Sequence, residues 1–119
     1  MDAQEKRRFP RLAASVEVEC QVIEDNNSCP LSFSSVSKNI SSGGICIFTF
    51  SEIACGRKVE LRFLIPGTNE LINAIGQVVW VELFQIGEQT SKRYELGIEF
   101  LDISPQDQDK ISMFVFTHL

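Results

Sequence analysis

The chain has one histidine, one tryptophan and one tyrosine among its 119 residues. Nowhere does it hold the run of about 18 apolar residues that a membrane-spanning helix requires. The single histidine, His118, falls in the last turn of an expected C-terminal helix, where a donor or cation suits the exposed carbonyls. Neither a Ser-His-Asp nor a Cys-His pairing is suggested, and the acidic residues Glu17, Glu19, Glu60, Glu95 and Glu99 read as outward positions of half-buried strands. No catalytic residue is therefore assigned and no enzyme is expected. Cys20, Cys29, Cys46 and Cys55 are separated by 9, 17 and 9 positions. That spacing matches no paired zinc ligands and makes no redox CxxC, so neither a metal nor a cofactor is expected. Cys20 and Cys46 sit in apolar runs and should pack as small hydrophobes. Met1 to Arg8 has the charge of a secretory leader, but no apolar segment follows, so a cytoplasmic protein without membrane insertion is expected. Basic charge is also short: eleven Lys and Arg against sixteen Asp and Glu give a net charge of −5. A protein that coats DNA or RNA through a basic face is excluded on that balance.

What basic charge there is lies in one place. Lys6, Arg7, Arg8 and Arg11 fill a six-residue window without an acid, leaving seven bases and sixteen acids, or −9, elsewhere. The length suits one domain, 1–119, and 44% hydrophobic residues suffice for a core. Period-two alternation dominates the chain. Val16, Val18, Cys20 and Val22 read as one face of a strand, and Asp25 to Ser28 as a turn. A weaker strand is expected from Leu31 to Val36, a central one from Ile45 to Phe50, and a fourth through Val59, Leu61, Phe63 and Ile65. Leu71 to Leu83 is long enough to need a bend, for which Gly76 is suited as a bulge or barrel corner. Tyr94 to Leu101 is the last strand. Ser104-Pro105-Gln106-Asp107 then offers an N-cap, a first-turn proline and an acid, with Ile111, Phe114, Val115 and Leu119 at helical spacing after it. The fold expected is mainly all-β: a six-stranded antiparallel β-barrel over 12–101, a C-terminal α-helix over 104–119, and a flexible N-terminal arm over 1–11.

Two segments carry more chemistry than a scaffold needs. In Arg7-Arg8-Phe9-Pro10-Arg11 the proline keeps Phe9 extended, so the guanidinium forks splay along a strand-like segment. Such forks match phosphate oxygens or the O6/N7 edge of guanine; the plainer reading is a solvated basic tail. In Asn39-x-Ser41-x-x-Gly44, Asn39 and Ser41 supply donors and acceptors, and glycine lets a backbone approach a planar ligand or take φ > 0. The plainer reading there is a Ser/Gly-rich hairpin loop between two strands.

Together, RxxxR at the start of a small all-β domain and [D/N]xSxxG some thirty residues later resemble the PilZ domain family, bacterial receptors for cyclic di-GMP. Gly76-Gln77-Val78-Val79-Trp80, Gly97-Ile98-Glu99-Phe100 and the helix from Ser104 fall in the family's order, so the resemblance covers nearly the whole chain. It implies that Arg7 and Arg11 grip the guanine Hoogsteen edge and the phosphates, and that Arg8 adds a phosphate contact or a stacking plane. It implies further that Asn39 and Ser41 bond the other guanine, and that Gly44, with Gly43 beside it, keeps the loop tight. Trp80 is either a stacking wall at the mouth or a buried barrel residue. The family often has an arginine just before the first motif arginine, associated with a stacked ligand dimer; here Lys6 stands there, supplying charge without a planar fork.

The resemblance implies a receptor whose arm folds over the nucleotide and which signals to an unidentified protein partner in trans; whether it forms a homodimer is left open. The alternative is a PilZ-like adaptor that binds protein and ignores nucleotide. A small barrel for single-stranded nucleic acid, using Phe9 and Trp80, is opposed by the −9 body.

Overall fold

Alternating apolar and polar residues build the wall of a closed barrel. The computed structural model describes residues 10–23, 31–84 and 92–119. These form β1 (Glu17–Ile23), β2 (Ser32–Ser41), β3 (Gly44–Thr49), β4 (Lys58–Leu64), β5 (Leu71–Phe84), β6 (Arg93–Ile103) and the helix α1 (Pro105–His118). Every neighbouring pair is antiparallel, and the order β1-β2-β3-β6-β5-β4 closes by pairing β4 with β1. The expected six-stranded barrel with a C-terminal helix is thus the observed fold. Val18, Val59, Leu61, Ile72, Ile47 and Leu96 are at most 1% exposed and fill the interior from five strands. The helix adds Ile111, Phe114 and Val115 to the same cluster.

The helix begins as its sequence dictates. Ser104 Oγ accepts from the Asp107 backbone N–H at 3.0 Å, and Pro105 occupies the first turn. Asp107 also accepts from the Asn73 N–H at 3.3 Å, which ties the start of α1 to β5. His118 ends the helix with Nδ1 2.8 Å from the Phe114 carbonyl, the role expected for it. Among the described residues no helix is long and apolar enough to cross a membrane.

Some expectations shift. β2 runs ten residues to Ser41, so Asn39 and Ser41 stand on a strand and not in a loop, and the turn shrinks to Ser42-Gly43. The strand persists because the Asn39↔Cys46 to Ser41↔Gly44 pairs continue the ladder with β3. β6 reaches Ile103, two residues beyond the expected end. Glu95 is only 9% exposed and is held by Nζ of the exposed Lys38 at 2.8 Å, so it is not a solvated strand position. Gly76 does mark the barrel corner: the β5–β6 register slips between Ile75 and Gly76, and a Cβ there would strike the Ile98 side chain. Residues 1–9, with Lys6, Arg7, Arg8 and Phe9, lie outside the described residues, as do the turn at 25–28 and Cys29.

Burial pushes the Cys20 thiol up to about 12 from its ordinary value of 9.0, with Glu19 adding to the effect. The unfolded chain therefore loses this proton first as pH rises, and stability falls between pH 9.0 and about 12. A Cys20→Ala variant will start less stable, because it leaves a small void. Its melting temperature will fall less steeply with alkaline pH than that of the parent; parallel slopes would show that Cys20 contributes nothing to the alkaline limb.

Candidate functional site

Four strands turn one outer face toward a cavity of about 480 Å³. The pairing places residues in rows across that face. One row reads Asn39 on β2, Cys46 on β3, Gly97 on β6 and Trp80 on β5; the next reads Ser41, Gly44, Glu99 and Gln77. Two register shifts put the polar and aromatic members there. The β2–β3 ladder slips between Ser37 and Asn39, and the β5–β6 ladder slips between Val78 and Trp80. Ser37 and Ile40 are buried inside while Lys38 and Asn39 lie between them on the outer side; likewise Val78 points inward and both Val79 and Trp80 stay outside. A bulge adds one residue without reversing the faces that follow, and here it does so on both flanks of the cavity.

The floor is made where side chains are missing. A Cβ on Gly44 would run into the Ile98 carbonyl oxygen, so β3 and β6 could not approach as they do with any other residue. A Cβ on Gly97 would enter the Trp80 indole, so the ring lies across this glycine as a half-buried wall of the cavity. Trp80 is thus half-buried on the outer side of the barrel and not inside it. The φ > 0 option does not apply to this turn: among the described residues, positive φ occurs at Gly56 and Gly67.

Ser41 shapes the turn. Its Oγ accepts from the Gly43 and Gly44 N–H groups at 3.2 and 3.1 Å and donates to the Gly44 carbonyl at 3.3 Å. With all its capacity spent, this 7% exposed hydroxyl orients the Ser42-Gly43 turn. Asn39 differs: its half-buried carboxamide has no hydrogen-bond partner among the described residues and faces the cavity. Gln108 of α1 donates from Nε2 to the Ser42 carbonyl at 3.0 Å and also lines the cavity, joining helix to turn.

Arg11 reaches the cavity because the chain behind it is pinned. Leu12 and Ile40 exchange two backbone hydrogen bonds of 2.9 Å. Ser37 Oγ accepts from Val16 N–H at 2.8 Å and donates to the Ala14 carbonyl. Residues 12–16 thus lie along β2 and bring Arg11 level with Ser41. Lys38 is committed to Glu95, whose carboxylate raises the lysine's pKa through their hydrogen bond. Burial, followed by the Glu95 charge, pushes the Cys46 thiol to about 11, while Lys38 and Arg11 pull it down. At neutral pH Cys46 is a protonated, inert floor residue.

Of the sequence-selected residues, Arg11, Asn39, Ser41, Gly43, Gly44 and Trp80 line this one cavity; Arg7, Arg8 and Lys6 fall outside the described residues. Glu99, Gln108, Cys46 and Val79 also line it and were not singled out. The alternation that marks Glu99 as outward-facing gives no sign that a cavity lies on that side. Trp80 is the sole tryptophan and reports on the wall. Gly97→Ala is expected to push the indole toward water, red-shifting its emission and costing about 1–3 kcal/mol of stability through overpacking; unchanged emission would place the ring elsewhere.

Comparison with solved structures gives the same fold. Bacillus subtilis MotI/DgrA, an inhibitor of motility, is 22% identical with a TM-score of 0.73, over 94% of this chain and 50% of that one. The PilZ domain of Escherichia coli YcgR, solved with c-di-GMP, is 17% identical with a TM-score of 0.68, over 95% and 91%. K. pneumonia MrkH is 18% identical with a TM-score of 0.71, over 95% and 50%. The chain thus spans about half the length of MotI/DgrA and of MrkH. No curated protein matches. The family model described as PilZ domain matches residues 5–117, a span that takes in both arginine and Asn-Ser-Gly segments, every strand and nearly all of α1. On that match, the chain belongs to the PilZ domain family.

Proposed function

We propose that the protein is a receptor for cyclic di-GMP. The observation that carries this reading is the convergence of Arg11, Asn39, Ser41 and Gly44 on one cavity, although they come from two separate stretches of chain. The ligand has two phosphate charges and two purine faces. Arg11 offers a planar fork for a phosphate or a guanine O6/N7 edge, Trp80 a stacking wall, and Asn39 an unspent carboxamide. Gly44 and Gly97 lower the floor beneath a flat base. Solved complexes with c-di-GMP, of the YcgR PilZ domain and of MrkH, support the reading by analogy of fold. It requires no covalent step and assigns no catalytic residue.

In this reading Arg7 and Arg8 close over the nucleotide from the pinned base at Leu12, neutralising its phosphates. Closure creates a new surface, and a partner protein in trans reads it. Lys6 adds charge to that closure without a stacking plane, so one ligand molecule per site is expected.

Calorimetry with cyclic di-GMP tests the reading. Saturable heat near one ligand per chain is expected, with a rise in melting temperature. Arg11→Ala should cost about 1.5–3 kcal/mol of binding, roughly a ten- to hundredfold weakening, because a charge-assisted contact is lost. No heat and no thermal shift in the parent protein would favour a nucleotide-independent adaptor.

A further inference from the structure

Resting on the receptor reading above, we infer that Glu99 selects guanine: its carboxylate accepts from the N1–H and 2-amino groups of a base whose adjacent O6/N7 edge is held by Arg11. Glu99 lies outside both sequence motifs and is an exposed residue of β6 lining the cavity. Among the described residues its carboxylate has no hydrogen-bond or ion-pair partner. An unpaired carboxylate beside a site for a dianion costs affinity by repulsion. It lowers the cost only by meeting donors.

The geometry supplies the match. Glu99 pairs with Gly44, which pairs with Ser41, and Arg11 lies level with Ser41 on the far side. Arg11 and Glu99 therefore lie in one row with Ser41 and Gly44 between them, about three strand spacings or ~14 Å apart at the backbone. The glycine between them leaves the row open. Both residues line the same cavity of about 480 Å³, which has room for a purine base between them. Guanine presents acceptors at O6 and N7 to a guanidinium and donors at N1 and the 2-amino group to a carboxylate. Adenine would set its N1 lone pair against the carboxylate, and hypoxanthine would lack the 2-amino donor. The row Arg11–Ser41–Gly44–Glu99 reads guanine from two edges, and Asn39, one row away, remains available for the second base.

The test is a calorimetric comparison of cyclic di-GMP, cyclic di-IMP and cyclic di-AMP with the parent protein and with Glu99→Gln, whose exposed site should leave the melting temperature unchanged. The parent is expected to prefer cyclic di-GMP over cyclic di-IMP by about tenfold or more, since a charged acceptor would lose its partner. In Glu99→Gln that preference should fall several-fold, and cyclic di-AMP should bind better than it does to the parent. Glu99→Asp should retain part of the preference. If Glu99→Gln binds all three nucleotides more tightly by one common factor, the carboxylate only repels phosphate and the inference is wrong. An unaltered preference overturns it as well. Either result leaves the receptor reading standing, whereas a parent protein that binds no cyclic di-GMP overturns both.

Discussion

The site depends on a contact that only glycine permits. At Gly44 the neighbouring strand passes so close that a methyl group would meet the Ile98 carbonyl. The first pair of β3 is consequently held tight against β6, and the Ser42-Gly43 turn is drawn in over the same spot: the Gly43 carbonyl accepts from Phe100 N–H at 2.9 Å. Ser41 closes the turn from the other side and Gln108 fastens it to the helix. Had Gly44 a side chain, the turn, the cavity floor and the helix contact would all have to move together. Glycine costs conformational entropy in a strand, and here the close approach is what offsets it.

Charge is sorted with similar economy. The body is acidic, yet the cavity receives a cation because the two nearest candidates have different fates. Lys38 is turned to Glu95, a carboxylate too buried to be left alone, whereas Arg11 is held at the rim by a backbone pinned to β2. Removing the Lys38 partner would strand a poorly solvated carboxylate, so this pair acts as scaffold. Cys46 beneath them keeps its proton, and the floor stays neutral.

Much of the barrel was legible because alternation survives in β1, β4 and β6, and because Ser104-Pro105 and Gly76 announce a helix start and a corner in local terms. The motif residues were legible for a different reason: few residue types combine a planar cation, a carboxamide and a pair of glycines at such spacing. Trp80 was ambiguous, since strict alternation from Val78 makes it inward-facing and only the bulge at Val79 keeps it outside. Ser41 looked like a ligand group because its hydroxyl is versatile; the turn N–H groups that use it up are invisible before the backbone is folded. Glu95 and Glu99 carry the same one-dimensional signature, an acid between apolar residues. One finds a lysine across the sheet and the other an open cavity, and that difference lies in pairing between strands far apart in the chain.

The bulges beside Lys38 and Val79 make residue count a functional property. Loops of a barrel ordinarily absorb insertions and deletions, whereas strands resist them. Here the resistance is sharpest at the site itself. Deleting Val79 alone would remove the outward pair beside Gly97 and leave Trp80 as the single outward residue between Val78 and Val81, narrowing the wall of the cavity. Variation in length along this fold is thus expected to collect in the connections and to be absent from the four strands that face the cavity, even where their side chains change freely.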